Sequence, residues 1–193
     1  MNKILLLLSF GISLFVLFTN SSFSADYKKG LAAFKKRDYA TAFREWKPLA
    51  EKGNVKAQHN LGRMYRDGKG VTQNHKTAFK WYEKAAKQKN TRAQFNLGSM
   101  YYQGRAVPQN YKKALKWYQL AAKNGNPDAQ NDLGLMYENG DGVPQDYKIA
   151  HNWFKLAADQ GHIIAKINLA VIKMRGAGTV PDPIRAYVWT SIA

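Results

Sequence analysis

Four triplets of side chains, spaced i, i+4 and i+7 within the copies of an internal repeat, are the residues best placed to bind a partner. They are helix positions at which the copies differ, whereas the surrounding positions recur every 36 residues. The triplets are His59, Arg63 and Arg66; Phe95, Ser99 and Tyr102; Asn131, Leu135 and Glu138; and Ile167, Val171 and Met174. The spacing puts each triplet on one helical face. Joined across stacked copies, they predict a strip that is cationic at one end, aromatic in the middle and apolar at the other.

Motifs for catalysis and metal binding are missing from the sequence. It has no HExxH, GxSxG, SxxK or Walker loop. The lack of cysteine excludes disulfides, thiolate zinc sites, iron–sulfur clusters and thiol catalysis. The histidines fall at different positions of the repeat, without an acidic partner at metal-ligand spacing; they are His59, His75, His151 and His162. We therefore predict a protein that is not an enzyme and that needs no cofactor and no metal.

The repeat itself is a pair of amphipathic helices. In one copy, AQFNLGSMYYQG has an apolar stripe at helical spacing, and YKKALKWYQLAAKNG has a second one with lysines on the opposite side. Gly104 and Pro108 favour a short turn between the helices, and Asn110 is the predicted cap of the second. Gly98 leaves room for a close neighbour, and we expect Trp117 to fill the wedge beside it. Since one pair cannot bury such a ring alone, the copies must stack.

A row of polar residues follows the same period on the buried side of the first helix. The row consists of Asn60, Asn96, Asp132 and Asn168. Because buried polar groups need hydrogen-bond partners, we expect these side chains to bond the neighbouring turn rather than to act on a substrate.

The segment LGRMYRDGKGVTQNHKTAFKWYEKAAKQKN and its two successors resemble the Sel1-like repeat (SLR) family, a relative of the tetratricopeptide repeats. The resemblance implies an all-α fold, a right-handed α-solenoid of stacked antiparallel helix pairs whose first helices line a concave surface. It also implies a protein-interaction scaffold. Exported bacterial members are similar to factors in envelope assembly, signalling or host contact. A cysteine-rich branch is linked to β-lactam binding and hydrolysis; because this chain has no cysteine, a β-lactam or cell-wall hydrolase is only a remote alternative.

We divide the chain into a signal peptide at residues 1–24, a tetratricopeptide-like hairpin at 25–53, and repeats at 54–89, 90–125, 126–161 and 162–193, the last one truncated. Residues 1–24 carry one charge near their start, at Lys3, followed by an apolar run of 15 residues and then by small polar residues. This is the layout of a secretory signal. Such a run is shorter than the roughly 20 residues that span a bilayer. We therefore expect a periplasmic or secreted protein, with an uncleaved anchor as the alternative. In the hairpin, Trp46 lies one position off the register of the later tryptophans.

Charge divides the chain into two unequal halves. Residues 26–123 hold 23 basic and 6 acidic side chains, whereas residues 124–193 hold 6 and 7. A cationic half attracts anionic partners. We expect an acidic protein or peptide to bind in a groove along the strip that the triplets form. The alternative is an anionic lipid or polysaccharide bound by surface charge. Because we expect export, nucleic acid is not an expected partner.

Interpretations without a binding function stay open for several of these features. Lys84, Lys87 and Lys116 fall on outward helix faces, where a solvated role is the default. The triplets are either a groove or merely solvated positions, with the last one packed in an end repeat. The chain stops within a half-length helix whose apolar residues are Tyr187, Val188, Trp189 and Ile192. This edge is either a truncation or a surface for self-association.

Overall fold

The computed structural model describes residues 25–174, and every regular element in that range is an α-helix. The helices are α1 (Tyr27–Lys35), α2 (Tyr39–Glu51), α3 (Val55–Asp67), α4 (His75–Lys87), α5 (Thr91–Gln103), α6 (Tyr111–Lys123), α7 (Pro127–Asn139), α8 (Tyr147–Asp159) and α9 (Ile163–Met174). The substantial contacts all join helices that follow one another in the chain. This is the contact pattern of a helical repeat, and it confirms the predicted all-α solenoid of stacked helix pairs.

The pairs contain two kinds of helix, which we call A helices (α3, α5, α7 and α9) and B helices (α4, α6 and α8). Both kinds start at intervals of 36 residues, as the internal alignment predicts. None of the helices between residues 25 and 174 combines the length and the hydropathy needed to cross a bilayer. The signal peptide at 1–24 and the apolar edge from Tyr187 to Ile192 lie outside the described residues.

Short polar side chains start the helices from α1 to α8, and glycines end α3, α5 and α7. Before α6, the predicted cap Asn110 accepts a hydrogen bond from the backbone N–H of Lys113 at 2.9 Å. Asn90 does the same for α5 through the N–H of Ala93, also at 2.9 Å. At the end of α5, Gly104 has a φ of 68°, in the left-handed region that glycine enters without steric cost. These local signals fix where each helix begins and ends.

The core between the helices of a pair depends on a glycine facing an aromatic ring. A Cβ atom at Gly98 would lie only 2.5 Å from Cδ1 of Tyr118, a residue that is 2% exposed. Trp117, which we expect to fill the wedge at the wider end of the contact, does not face Gly98. Trp117 is half-buried and packs against the core between α4 and α5. Consecutive helix residues are rotated by about 100°, so the ring that faces Gly98 belongs to the next residue.

The offset of 36 residues also explains why Trp46 is out of register with the later tryptophans. An offset of 36 residues from Trp46 leads to the fully buried rings of Tyr82, Tyr118 and Phe154. Trp46 is therefore equivalent to these rings and not to the later tryptophans. It covers Gly30, where a Cβ would lie 2.5 Å from its Nε1 atom, and this Nε1–H donates to the carbonyl oxygen of Tyr27 at 3.2 Å. The first hairpin thus builds the same core with a different aromatic residue.

Candidate functional site

The A-helix face carries a cavity of about 300 Å³ between α3 and α5. Its lining combines three guanidinium groups, an imidazole, an aromatic ring, two amides and one carboxylate. These residues are Arg63, Arg66, Arg92, His59, Phe95, Asn96, Asn126 and Asp128. The structure thus brings together the whole first triplet predicted from the sequence and the first residue of the second. We call this region the cationic segment.

The arginines of the cationic segment differ in how they are held. Arg66 donates to Oδ1 of Asp67 at 2.7 Å and, through Nη1, to Oδ1 of Asn96 at 3.2 Å. The Arg63 guanidinium lies 5.4 Å from the centroid of the Phe34 ring. Within residues 25–174, neither Arg63 nor Arg92 has a carboxylate oxygen within 4 Å. One guanidinium is therefore anchored by an ion pair, whereas Arg63 is held against an aromatic ring and Arg92 has no ion-pair partner among the described residues.

His59 is buried, with 6% of its surface exposed. Burial, together with the positive charges of Arg63 and Arg92, lowers the pKa of His59 to about 4. Its Nε2 lies 3.4 Å from Nδ2 of Asn96, and its ring is tilted against Tyr82 at 5.9 Å. His59 is thus a neutral part of the cavity wall at pH 7, and its low pKa reflects its burial first and the neighbouring arginines second.

The second triplet extends over two further cavities. Ser99 lines one of about 170 Å³, together with Arg66 and Gln103. Tyr102 lines one of about 120 Å³, together with Leu135 of the third triplet. The Tyr102 hydroxyl donates to Oδ2 of Asp141 at 2.7 Å. Burial and this acidic partner raise the pKa of Tyr102 to about 12, so the hydroxyl stays protonated.

Acidic side chains give the region between α5 and α7 its character, and we call it the acidic segment. Asp132 lines the same small cavity as Tyr102, and Asp141 accepts the hydrogen bond of that tyrosine. Burial raises the pKa of Asp132, although Tyr118 and Asn131 hydrogen-bond to its carboxylate and oppose that shift. The two segments therefore differ in the charged residues that line their cavities, which are mainly arginines in one and Asp132 in the other.

The remaining predicted residues contribute less to these cavities. Asn131 is buried, with 4% of its surface exposed, and its Oδ1 accepts a hydrogen bond from Asn168 at 2.9 Å. Glu138 is half-buried on α7. In the last triplet, Ile167 and Met174 are exposed and Val171 is half-buried. The first two triplets therefore lie around the cavities more completely than the others.

The polar row does not bond the neighbouring turn, so that prediction is wrong. Asn60 donates to the Tyr27 hydroxyl at 3.1 Å, and Asn168 donates to Asn131 of the preceding A helix at 2.9 Å. Asn96 likewise lies against His59 and accepts from Arg66. These three side chains bond to residues of the preceding first helix, whereas Asp132 accepts from Asn131 of its own helix at 3.3 Å.

Sequence reasoning missed several residues of the site. Arg92 and Asp128 occupy the same repeat position, one helical turn before the triplets, and Asn96 was assigned only a structural role. The signal was present, because the offset of 36 residues aligns Lys56, Arg92 and Asp128. Extending each triplet by one turn toward the start of its helix would have included them. Groups of three or more metal-ligating side chains do not occur within residues 25–174.

The sequence pattern of the Sel1 repeat matches residues 55–90, 91–126, 127–162 and 163–193. The chain belongs to the Sel1 repeat family. Sel1 repeat proteins are in general protein–protein interaction scaffolds, so protein binding is the general property that membership brings. No protein with a curated description matches this chain.

Solved structures of Sel1 repeat proteins share this fold. A protective antigen of uropathogenic Escherichia coli with an SLR fold is 31% identical, with a TM-score of 0.81; the match covers 89% of this chain and 39% of the antigen. A Sel1 repeat protein from Oxalobacter formigenes is 32% identical, with a TM-score of 0.82 and coverage of 86% and 69%. Cysteine rich protein B of Helicobacter pylori is 23% identical, with a TM-score of 0.50 and coverage of 72% and 93%, which shows likeness of fold alone.

Proposed function

We propose that this Sel1 repeat protein is a non-enzymatic adaptor that binds another protein or peptide along its A-helix face. The observation that carries the proposal is the convergence of the non-recurring residues of α3 and α5 on one cavity. Positions that build the repeat, such as Gly98 and Tyr118, recur and are buried. Positions that are free to vary line a concave surface with charged, amide and aromatic groups, which is the composition of a recognition site.

The adaptor acts outside the cytoplasm in this proposal, in envelope assembly, signalling or host contact. Support comes from the signal-like sequence at residues 1–24. The likeness to a protective antigen of uropathogenic Escherichia coli is consistent with it. Cell fractionation checks this part: we expect the protein in the periplasm or the medium, and finding it in the cytoplasm would contradict export.

A second candidate function is binding of an anionic lipid or polysaccharide through surface charge. The observation that favours it is the row of exposed lysines on the B helices, which includes Lys80, Lys84, Lys112 and Lys116. Binding through such exposed charges weakens steeply as salt is added. It also does not depend on the cavity residues, which separates the two functions experimentally.

Site-specific photocrosslinking tests the adaptor function. A benzophenone amino acid replaces Leu135, which lines a cavity on the A-helix face, or Leu120, which is 39% exposed on the B helix α6. Both positions are leucines in the native protein, so each serves as the control for the other. We expect discrete crosslinked products from position 135 that are missing from position 120. The same products from both positions, or products from position 120 alone, would contradict the proposal.

Two minor alternatives are tested with the same purified protein. Self-association through the C-terminal edge predicts a concentration-dependent mass in light scattering, and a constant monomer mass would contradict it. A β-lactam hydrolase predicts turnover of nitrocefin; we expect none.

A further inference from the structure

We propose that the cavity between α3 and α5 is a carboxylate-binding site, which takes acidic side chains of an extended peptide. The inference rests on the proposed function, because it specifies which chemistry the A-helix face recognises. Its basis is that three arginines from two different helices line one cavity, with a single carboxylate in the same lining.

The charges of this cavity are not balanced from within. Arg63 and Arg66 are three residues apart on α3 and therefore share a face, and Arg92 approaches from α5. Neither Arg63 nor Arg92 has an ion-pair partner in the described part of the chain, whereas Arg66 is oriented by Asp67 and Asn96. Bringing like charges together is unfavourable. A bound anion would remove that repulsion and form charge-assisted hydrogen bonds with groups that are partly positioned in advance.

A peptide carboxylate fits the lining better than other anions do. The planar guanidinium binds a carboxylate through two parallel hydrogen bonds. The amides of Asn96 and Asn126 and the ring of Phe95 line the same cavity and offer partners for peptide groups and apolar side chains. Asp128 also lines it, with its Oδ1 3.2 Å from Nε2 of His162, and one carboxylate at the rim disfavours a ligand of high charge density.

The position of the site argues against a lipid surface. The lining residues belong to α3, α5 and the start of α7, on the A-helix face. The exposed lysines that a membrane would meet first are on the B helices. An extended chain with protruding acidic side chains can reach the guanidinium groups without deforming the helices.

Binding of a fluorescein-labelled tetraglutamate peptide to the full-length protein tests the proposal, with tetraglutamine as the uncharged counterpart. Fluorescence anisotropy is measured at constant ionic strength. We expect saturable binding of tetraglutamate and at least about tenfold weaker binding of tetraglutamine. Equal binding of both peptides, or no binding of tetraglutamate, would overturn the proposal.

A matched pair of double variants separates the cavity from the overall charge. Arg63→Gln with Arg92→Gln removes two charges from the cavity. Lys80→Gln with Lys116→Gln removes two exposed charges from the B helices. We expect the first pair to weaken tetraglutamate binding at least about tenfold and the second pair by less than about twofold, with unchanged helical circular dichroism in both. Equal weakening by both pairs would show that only the overall field attracts the peptide.

Competition distinguishes the chemical source of the anion. Inorganic phosphate and phosphatidylglycerol vesicles are added to the peptide complex at the same ionic strength. We expect neither to displace tetraglutamate, and displacement by either at a lower concentration than unlabelled tetraglutamate would overturn the assignment to carboxylates. If crosslinking at Leu135 succeeds while the arginine variants leave peptide binding unchanged, the adaptor function stands and this inference fails. Arginine-dependent peptide binding without site-dependent crosslinking would support this inference and contradict the adaptor function.

Discussion

The cationic and acidic segments have the same backbone architecture and opposite chemistry. In each, a glycine of an A helix accepts the ring of the following B helix: Gly62 meets Tyr82, and Gly98 meets Tyr118. Next to that frame, Arg63 and Arg92 line the cavity of the cationic segment, whereas Asp132 lines the cavity of the acidic segment. The positions that fix the fold are thus separate from the positions that we propose for binding. In this proposal, a Sel1 repeat changes its ligand without changing its frame.

The largest expected effect comes from breaking the shared frame. Tyr118→Ala leaves a void against Gly98 and should lower the free energy of unfolding by about 3 to 5 kcal/mol. Trp117→Ala should cost clearly less, because this larger ring is only half-buried. Urea unfolding followed by circular dichroism measures both. A greater loss for Trp117→Ala than for Tyr118→Ala would contradict the assignment of the buried position.

Acid should destabilise the cationic segment. The pKa of His59 is about 4 in the folded protein and about 6.5 in an unfolded chain. Between these values the unfolded chain binds more protons, so stability falls as the pH is lowered through this window, by about 3 kcal/mol in total. His59→Gln should lose this part of the pH dependence, as measured by unfolding at a series of pH values. An unchanged slope would contradict the low pKa.

The acidic segment should respond in the opposite direction. Burial raises the pKa of Asp132 above its unfolded value, so protonation favours the folded state and stability rises as the pH falls through this range. Asp132→Asn should therefore stabilise the protein at pH 7, and the gain should shrink in acid. The same unfolding series tests this, and destabilisation at pH 7 would show that the carboxylate is needed in its charged form.

Replacing Asp128, the acidic residue in the lining of the cationic segment, gives the next effect. Asp128→Arg gives the third copy the residue of the second and should tighten tetraglutamate binding about tenfold. It removes the contact with His162 and an acidic residue from the start of α7, at a cost of up to about 1 kcal/mol of stability. Asp159→Arg, at the end of α8, is the control with the same change in charge. Equal tightening by both variants would argue against a local site.

The smallest expected effect concerns the turns between the helices. Ala106 has a φ of 70°, whereas the equivalent residues, Gly70 and Gly142, are glycines in the same left-handed region. Alanine is strained in this conformation, so Ala106→Gly should stabilise the protein by about 1 kcal/mol. Thermal unfolding measures the change. A loss of stability would indicate that the Ala106 methyl group contributes more through packing than its backbone costs.

Much of the fold was predictable because it repeats. Four aligned copies separated the recurring positions from the free ones, and helix caps such as Asn110 are local signals that depend on neighbours in the sequence. The identity of the buried ring was not predictable, because Trp117 and Tyr118 are both aromatic and a rotation of about 100° decides which of them faces Gly98. Size alone favours the larger ring of Trp117, whereas the structure buries Tyr118, which faces Gly98.

The site was only partly predictable for a different reason. The triplets found the residues that share a helical face, including Arg63 and Arg66. They did not reveal which side chains of adjacent helices meet, because that depends on how the copies stack. The contacts of Asn96 with Arg66 and His59 join residues that are 30 and 37 positions apart. The burial of His59 follows from the same stacking.

Chemical-shift mapping tests the central claim, that the free positions of the A helices are the binding surface. Amide NMR spectra of the protein are recorded during titration with tetraglutamate, and the perturbed residues are placed on the structure. The account predicts that the largest changes fall on α3 and α5, around Arg63, Arg92 and Phe95. Changes centred on the exposed lysines of α4 and α6, with the cavity residues unmoved, would contradict it.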